Sequence, residues 1–347
     1  MTKTSKGHVF LRLFRVVAIL LALAASVGVV VLGLANRPAV GIGSGVLFTV
    51  NKGESAQSVS MALLRKGYIR SSFVFRFFAK AEGLGSALKA GTYRILPGMS
   101  TKRLLGEFVT GDQALVRVTV PEGFTLSQIA DLLERMGITS RSLFIAATHS
   151  SRLLAELGIT ATSAEGYLFP DTYFFPSGYS ADGVVHSMVK AFHDRLSAIP
   201  EAVSLTSKEL HDRIILASIV EREYKSPEEA PLMASVFFNR LKIRMALQSC
   251  ATVVYVITER LGKPHPDVIY DRDLKLDDPY NSYEHPGLPP GPISNPGMTS
   301  LRAAFSPTNS RFLYFRLIDT NTGKHHFSMT LDEHLDARTL FIKKVND

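Results

Sequence analysis

The chain has 347 residues, 39 Lys and Arg against 31 Asp and Glu for a formal charge of +8, one Cys, no Trp and 46% hydrophobic residues. This length holds two domains with a sizeable core, and the composition excludes a disordered or collagen-like chain. One Cys excludes an intrachain disulfide and a Cys-rich zinc site, while a mean hydropathy of +0.13 with 20% charged residues requires one segment to carry an apolar excess.

The first predicted element carries it. Val16 to Ala35 is a run of twenty residues without a charge, which at 1.5 Å per residue matches a hydrocarbon core of about 30 Å. Lys3, Lys6, Arg12 and Arg15 precede it with no acidic residue among the first fifteen. The positive-inside rule then puts the N-terminus in the cytoplasm and the rest of the chain outside. A cleaved signal peptide is the rival reading, but its apolar region is shorter and ends in a small-residue site, whereas this run continues into Asn36-Arg37-Pro38. Half of the formal +8 lies in those first fifteen residues. The external part has an ordinary charge balance, without the Lys/Arg cluster that a nucleic-acid partner requires.

After a Gly-rich linker, one pattern recurs three times: a β-type run, a Gly, a hydroxyl residue two positions later, then a helical apolar period. The instances are Val46–Val50 with Gly53 and Ser55, Tyr93–Leu96 with Gly98 and Ser100, and Val116–Val120 with Gly123 and Thr125. Each reads as strand, turn and N-capped helix, and Thr125 with Gln128 forms a capping-box pair. Short amphipathic helices follow between Ser127 and Pro200. They are interrupted by Glu165-Gly-Tyr-Leu-Phe-Pro-Asp-Thr-Tyr-Phe-Phe-Pro176, which is too irregular for a regular element. Core packing is the plain reading of Tyr167, Phe169 and Phe174; stacking on sugar rings is the functional one.

Thr206 and Glu209 form a second capping box, opening a helix through Glu221. Leu210, Ile214, Ala217 and Glu221 fall on one stripe, and Ser218 is the only polar residue from Ile214 to Val220, so Glu221 ends a buried helix on its interior side while Glu223 points the opposite way. Desolvation raises the pKa of a carboxyl group so placed toward that of a general acid. The structural alternative is an ion pair with Arg222 or Lys225. Ser226, Pro227 and Glu229 predict a capped start to the next helix, which runs to about Met245, with Pro231 delaying it. Leu247–Tyr255 supplies Gln248, Ser249 and Thr252. The loop Tyr280–Gly297, rich in Gly, Pro, amides and hydroxyls, suits a polyhydroxylated ligand or serves as a structural loop. The tail reads as a hairpin of Arg311–Ile318 and Gly323–Ser328. Its His325 and His326 point to opposite faces, so with His334 they make a poor ligand set and no metal or other cofactor is expected.

Val-Pro-Glu-Gly (120–123), Glu-Gly-Tyr-Leu-Phe-Pro-Asp-Thr-Tyr (165–173), Ala-Ser-Ile-Val-Glu (217–221), Phe-Phe-Asn-Arg-Leu (237–241), Leu-Gln-Ser (247–249), Tyr-Asn-Ser-Tyr (280–283) and Gly-Leu-Pro-Pro-Gly-Pro-Ile-Ser-Asn-Pro-Gly (287–297) stand in that order behind the apolar run. Together they resemble the endolytic murein transglycosylases of the YceG/MltG type. The resemblance implies an α+β protein of the bacterial cytoplasmic membrane: cytoplasmic tail 1–15, transmembrane helix 16–35, linker 36–45, a LysM-like subdomain 46–115 and a catalytic domain 116–347. It implies cleavage of the β-1,4 bond between N-acetylmuramic acid and N-acetylglucosamine in nascent peptidoglycan strands, with 1,6-anhydro ring closure, and cell-wall synthesis proteins as partners. It carries the catalytic role onto Glu221. Gln248, Thr252, Tyr280, Asn281 and Ser282 are the candidates for holding sugar. One departure stands out: where the family commonly has Leu-Gln-x-Asp-x-Thr, this chain has Cys250. A thiol cannot supply that charge, which keeps a non-catalytic wall-binding or scaffold protein as the alternative. No His lies near Cys250 in sequence to activate it as a nucleophile.

Overall fold

A computed structural model describes residues 4–38, 45–111 and 114–338, with side chains from residue 15. It divides into two compact units, Met1–Leu115 and Val116–Asp347, each with its own apolar core. The architecture is mixed α+β. Helices dominate, and the strands form three two-stranded sheets.

The smaller unit opens with α1 (Thr4–Ala35), within which Arg15–Ala35 is long and apolar enough to cross a membrane, the one such helix among the described residues. The helix already spans the basic segment that the sequence suggests is a tail. Of the linker expected over 36–45, residues 39–44 lie outside the described residues, and residues 36–38 are tied down. The Asn36 carbonyl accepts from Thr101 N–H at 3.2 Å, and its side-chain oxygen accepts from Lys102 N–H at 2.9 Å. β1 (Val46–Val50) pairs antiparallel with β2 (Gly91–Ile95), Val46 opposite Ile95 and Val50 opposite Gly91. Between them lie α2 (Ala56–Arg65) and α3 (Ser72–Ala81), and α4 (Thr101–Thr110) follows β2. Ser55 and Ser100 cap α2 and α4 through their hydroxyls, and Gly53 and Gly98 take positive φ in the preceding turns, so the local pattern forms as the sequence predicts. Phe48, Phe75, Tyr93 and Phe108 fill the core.

The larger unit begins with β3 (Leu115–Thr119), Gly123 at positive φ and α5 (Leu126–Arg135), with the Thr125/Gln128 box formed. α6 (Arg141–Thr148) and α7 (Ser151–Glu156) follow. The aromatic stretch then departs from expectation. Its second half is a strand, β4 (Thr172–Pro176), paired with β3, because the sheet supplies partners that a local reading does not see. Tyr167 and Phe169 are core residues, whereas Phe174 is 59% exposed on the outer face of that strand.

α8 (Ala181–Leu196) leads to α9 (Ser207–Val220), capped by the Thr206/Glu209 box. The next predicted cap does not form. Ser226 makes no cap bond, Pro227–Glu229 is a 3₁₀ turn, and α10 runs from Ala230 to Lys242, ending before Met245. Glu229 is drawn away by the tail hairpin, accepting from the His325 backbone N–H at 3.1 Å and lying 2.8 Å from its Nδ1. α11 (Cys250–Tyr255) runs on into a π-turn over Val256–Arg260. α12 (Met298–Phe305) packs on α9 and α10, and the hairpin β5 (Tyr314–Asp319) with β6 (Lys324–Ser328) and α13 (Leu331–Asp336) closes the unit. β5 starts three residues later than the sequence pattern suggests.

Candidate active site

The lone polar residue of the buried stretch Ile214–Val220 explains how the site is assembled. Ser218 is fully buried, its hydroxyl donating to the Ile215 carbonyl at 2.7 Å and accepting from Ile293 N–H at 2.9 Å, while its carbonyl accepts from the Ser294 hydroxyl. The Pro-rich loop is thereby stapled along α9. Gly166 lets it approach closely, since at φ +86 an added Cβ would fall 2.5 Å from Pro292.

Asn295 holds three segments together. Its side-chain oxygen accepts from Gly166 and Leu168 N–H at 2.9 and 3.0 Å. Its amide donates to the Phe124 carbonyl at 2.9 Å and to Glu165 at 2.8 Å. Glu165, 3% exposed, also accepts from Leu126 N–H. Burial pushes its pKa up to about 8 against the pull of these donors.

This loop delivers Gly297, the N-cap of α12, to Glu221, the C-cap of α9. Glu221 Oε2 accepts from Gly297 N–H at 2.9 Å and from the Ser300 hydroxyl at 2.5 Å, and Tyr224 Oη lies 3.4 Å from Oε1. The carboxylate therefore caps the first turn of another helix, where unpaired N–H groups and the helix dipole favour an anion. Burial works in the opposite direction and is the larger influence, so its pKa is raised, helped by the neighbouring charge of Glu122. Neither cation that the sequence offers takes it as a salt-bridge partner among the described residues. Arg222 reaches the Gly123 carbonyl, and the Lys225 stem lies where a Gly323 side chain would project. What results is a half-buried carboxyl group held by neutral donors, able to lose and regain a proton without breaking an ion pair.

Glu223, on the other side of the same helix end, accepts from the Ser249 hydroxyl and the Ala251 N–H at the start of α11. The two glutamates thus serve the N-termini of two different helices. Burial raises the pKa of Glu223 as well. It lines a cleft of about 330 Å³ with Arg240, Gln248, Cys250, Tyr283 and Tyr314. A larger hollow of about 610 Å³ lies elsewhere, around Leu143 and Tyr179. Its Arg152 and Asp182 are paired with each other at the surface.

Of the residues expected to hold sugar, Gln248 is exposed, lines the cleft and adopts a strained positive φ of 48. Tyr280 is half-buried, against Tyr255 and under Arg260. Thr252, Asn281 and Ser282 face inward, at 0–2% exposure. Thr252 and Ser282 bond each other at 2.8 Å, Ser282 holds Ser249 N–H and Gln248 N–H donates to the Ser282 carbonyl. Asn281 donates to the Leu274 and Leu276 carbonyls. These three shape the loop that presents Gln248. The Cys250 thiol lies 3.2 Å from the Tyr283 hydroxyl, and desolvation raises its pKa, which disfavours the thiolate a nucleophile needs. Gly297, Ser300 and Tyr224 escape the sequence reading, since none belongs to a motif whose spacing points to Glu221. Glu122 sits in plain view within Val-Pro-Glu-Gly, yet only the fold shows its carboxylate so close to Gly297 that an added Cβ there would lie 1.9 Å from it.

Residues 48–339 match the model of the YceG-like family. The chain belongs to this family. It is 31% identical over 318 residues to a protein of Bacillus subtilis (strain 168) named endolytic murein transglycosylase, covering 87% of this chain and 86% of that one. A Streptococcus pneumoniae protein (strain D39) of the same name is 30% identical over 314 residues, and there the match covers 82% of this chain and 56% of the relative. The crystal structure of a YceG-like protein from Listeria monocytogenes superposes with a TM-score of 0.57 at 32% identity, over 84% of this chain and 99% of that one.

Proposed function

We propose that this family member is a membrane-anchored endolytic lytic transglycosylase, with α1 spanning the cytoplasmic membrane, the N-terminus in the cytoplasm and both units outside. The smaller unit is read as the LysM-like subdomain, supported by an antiparallel strand pair enclosing two helices, and the larger as the catalytic domain. The substrate is the peptidoglycan glycan strand, cut at the β-1,4 bond between N-acetylmuramic acid and N-acetylglucosamine, and wall-synthesis proteins are the expected partners.

The observation that carries this reading is Glu221: one carboxyl group, desolvated yet without a salt-bridge partner among the described residues, held by Gly297, Ser300 and Tyr224. A raised pKa favours the protonated form, which can donate to the glycosidic oxygen as the bond breaks. The carboxylate left behind accepts hydrogen bonds from groups already in place, which lowers the cost of the charge that forms. It then takes the proton of the muramic C6 hydroxyl as that oxygen closes on C1. An intramolecular nucleophile replaces the water that a hydrolase activates with a second carboxylate. Gln248 and Tyr280 are assigned to the sugar, and Thr252, Asn281 and Ser282 to positioning Gln248.

Full-length protein reconstituted in vesicles and given purified glycan strands is expected to release fragments with 1,6-anhydro ends, detected by mass spectrometry. Reducing ends in their place would make it a hydrolase. Equal product from Glu221→Gln would take the catalytic role from Glu221, and no product from the wild type would leave the wall-binding alternative that Cys250 keeps open.

A further inference from the structure

α3 divides its faces sharply. Val74, Phe75 and Ala79 are buried, while Phe73 and Phe77 are 63% and 42% exposed. At 100° per residue the outer face carries the two exposed rings, stacked with centroids 6.4 Å apart, on one side and exposed Arg76 and Lys80 on the other. Water solvates such a pair of rings poorly, and the described residues of the unit leave them exposed.

The location of this helix points to what does. Before α3, Arg70 Nε donates to the Pro38 carbonyl at 2.9 Å, three residues past the end of α1. At its far end, Lys102 Nζ lies 5.9 Å from the Phe78 ring and pairs with Glu82 at 2.8 Å, and the Lys102 N–H is the group that holds Asn36. Both ends of α3 are therefore pinned beside residues 36–38, where α1 ends. The polar layer of a bilayer is about 5–8 Å thick on each side of the hydrocarbon, a depth that side chains on such a helix can reach. An exposed apolar strip bordered by Arg and Lys along one side suits a helix lying in that layer over anionic lipids. Glu82, the nearest acidic group of the segment, is already neutralised by Lys102.

We propose that the outer face of α3 seats the smaller unit in the membrane surface, with Phe73 and Phe77 among the headgroups and Arg76 and Lys80 on anionic lipid phosphates. The proposal rests on α1 being a membrane span. It makes the smaller unit a fixed foot and not a module swinging on a linker.

Because the chain has no Trp, single substitutions report depth directly. Full-length Phe77→Trp is reconstituted in vesicles of phosphatidylethanolamine and phosphatidylglycerol with and without acyl-brominated lipid. Leu23→Trp marks the span and Phe174→Trp an exposed site of the larger unit. The expected emission of Phe77→Trp is blue-shifted and quenched by brominated lipid, to a degree between the two markers, and the quenching falls in Phe77→Trp/Arg76→Glu/Lys80→Glu. Water-like, unquenched emission at position 77 alongside quenched Leu23→Trp overturns the proposal and leaves the anchor intact, as does a shift seen only on adding glycan strands. An unquenched Leu23→Trp removes the anchor and the proposal with it. Phe73→Trp repeats the measurement should Phe77→Trp fail to fold.

Discussion

The two units spend their buried polar groups differently. Among the described residues of the smaller unit the buried polar ones are Ser60, Thr92 and Thr101, all neutral, and the core is aromatic and aliphatic. In the larger unit Glu165 and Arg240 lie inside, with Asn281, Asn295 and several hydroxyls. The first is held together by apolar area, which tolerates repacking. The second is held around Glu221 by hydrogen bonds that fix positions, and stranding one buried partner costs more than the made bond contributes.

The largest expected effect falls on the chemistry. Glu221→Gln keeps the shape and some of the contacts to Gly297, Ser300 and Tyr224 but cannot cycle a proton. Release of anhydro ends is expected to fall by about 10²–10⁴-fold, the span of a general acid, with an unchanged far-ultraviolet spectrum. Lost activity together with lost secondary structure would instead make Glu221 a structural cap of α12.

Next comes Asn295→Ala, which strands the N–H groups of Gly166 and Leu168 and one oxygen of Glu165. At about 1–3 kcal/mol for each unmet buried group, partly relieved by water, a loss of about 3–5 kcal/mol is expected in urea unfolding. Activity should fall too, because the loop carrying Gly297 is released. In the smaller unit Ser55→Ala removes one exposed cap bond and is expected to cost about 1 kcal/mol without touching turnover. Equal costs at the two sites would erase the contrast.

The buried carboxyl groups give the larger unit a pH dependence of definite sign. Glu165 has a folded pKa of about 8 against an ordinary value of 4.5, so between those values the folded state binds the extra proton. Stability is therefore highest at low pH and declines as pH rises through that window, by up to about 1.4 kcal/mol per unit for one proton. Glu221 and Glu223 are raised and act in the same direction. Glu165→Gln loses an acceptor, so it should be the less stable protein at pH 5, with the gap to wild type narrowing toward pH 8. A gap that stays constant between those pH values would mean that Glu165 does not titrate there.

The same contrast explains what could be read from the sequence. Strand, turn and cap succeed one another within ten residues at Val46–Ser55, and the structure repeats that order because each signal acts on its own neighbours. Glu221 was visible because helical period placed it at the end of an apolar stripe. Its partners Gly297 and Ser300 were not, since they lie 76 and 79 residues away. Distance also undid a local signal: the Ser226/Glu229 box fails because His325, 96 residues on, binds Glu229. Polar loop residues misled for a similar reason. Asn281 and Ser282 have the composition of a ligand surface, yet the loop turns them inward, Asn281 onto the Leu274 and Leu276 carbonyls and Ser282 onto Ser249 and Thr252.

The smallest effect tests whether Glu122 belongs to the chemistry. Its exposed carboxylate lies against Gly297, whose N–H is bonded to Glu221, and its charge is one of the influences raising the Glu221 pKa, behind burial. Glu122→Gln removes the charge and keeps the size. Without a negative neighbour Glu221 ionises more readily, so the acid form is lost at lower pH. The basic limb of kcat/KM, which reports the free enzyme, should move to lower pH, while Glu122→Asp holds it near the wild-type position. A side chain that merely packs on Gly297 would change the height of the profile and leave its limbs in place. An unmoved basic limb in Glu122→Gln would therefore confine the carboxyl chemistry of this site to Glu221 alone.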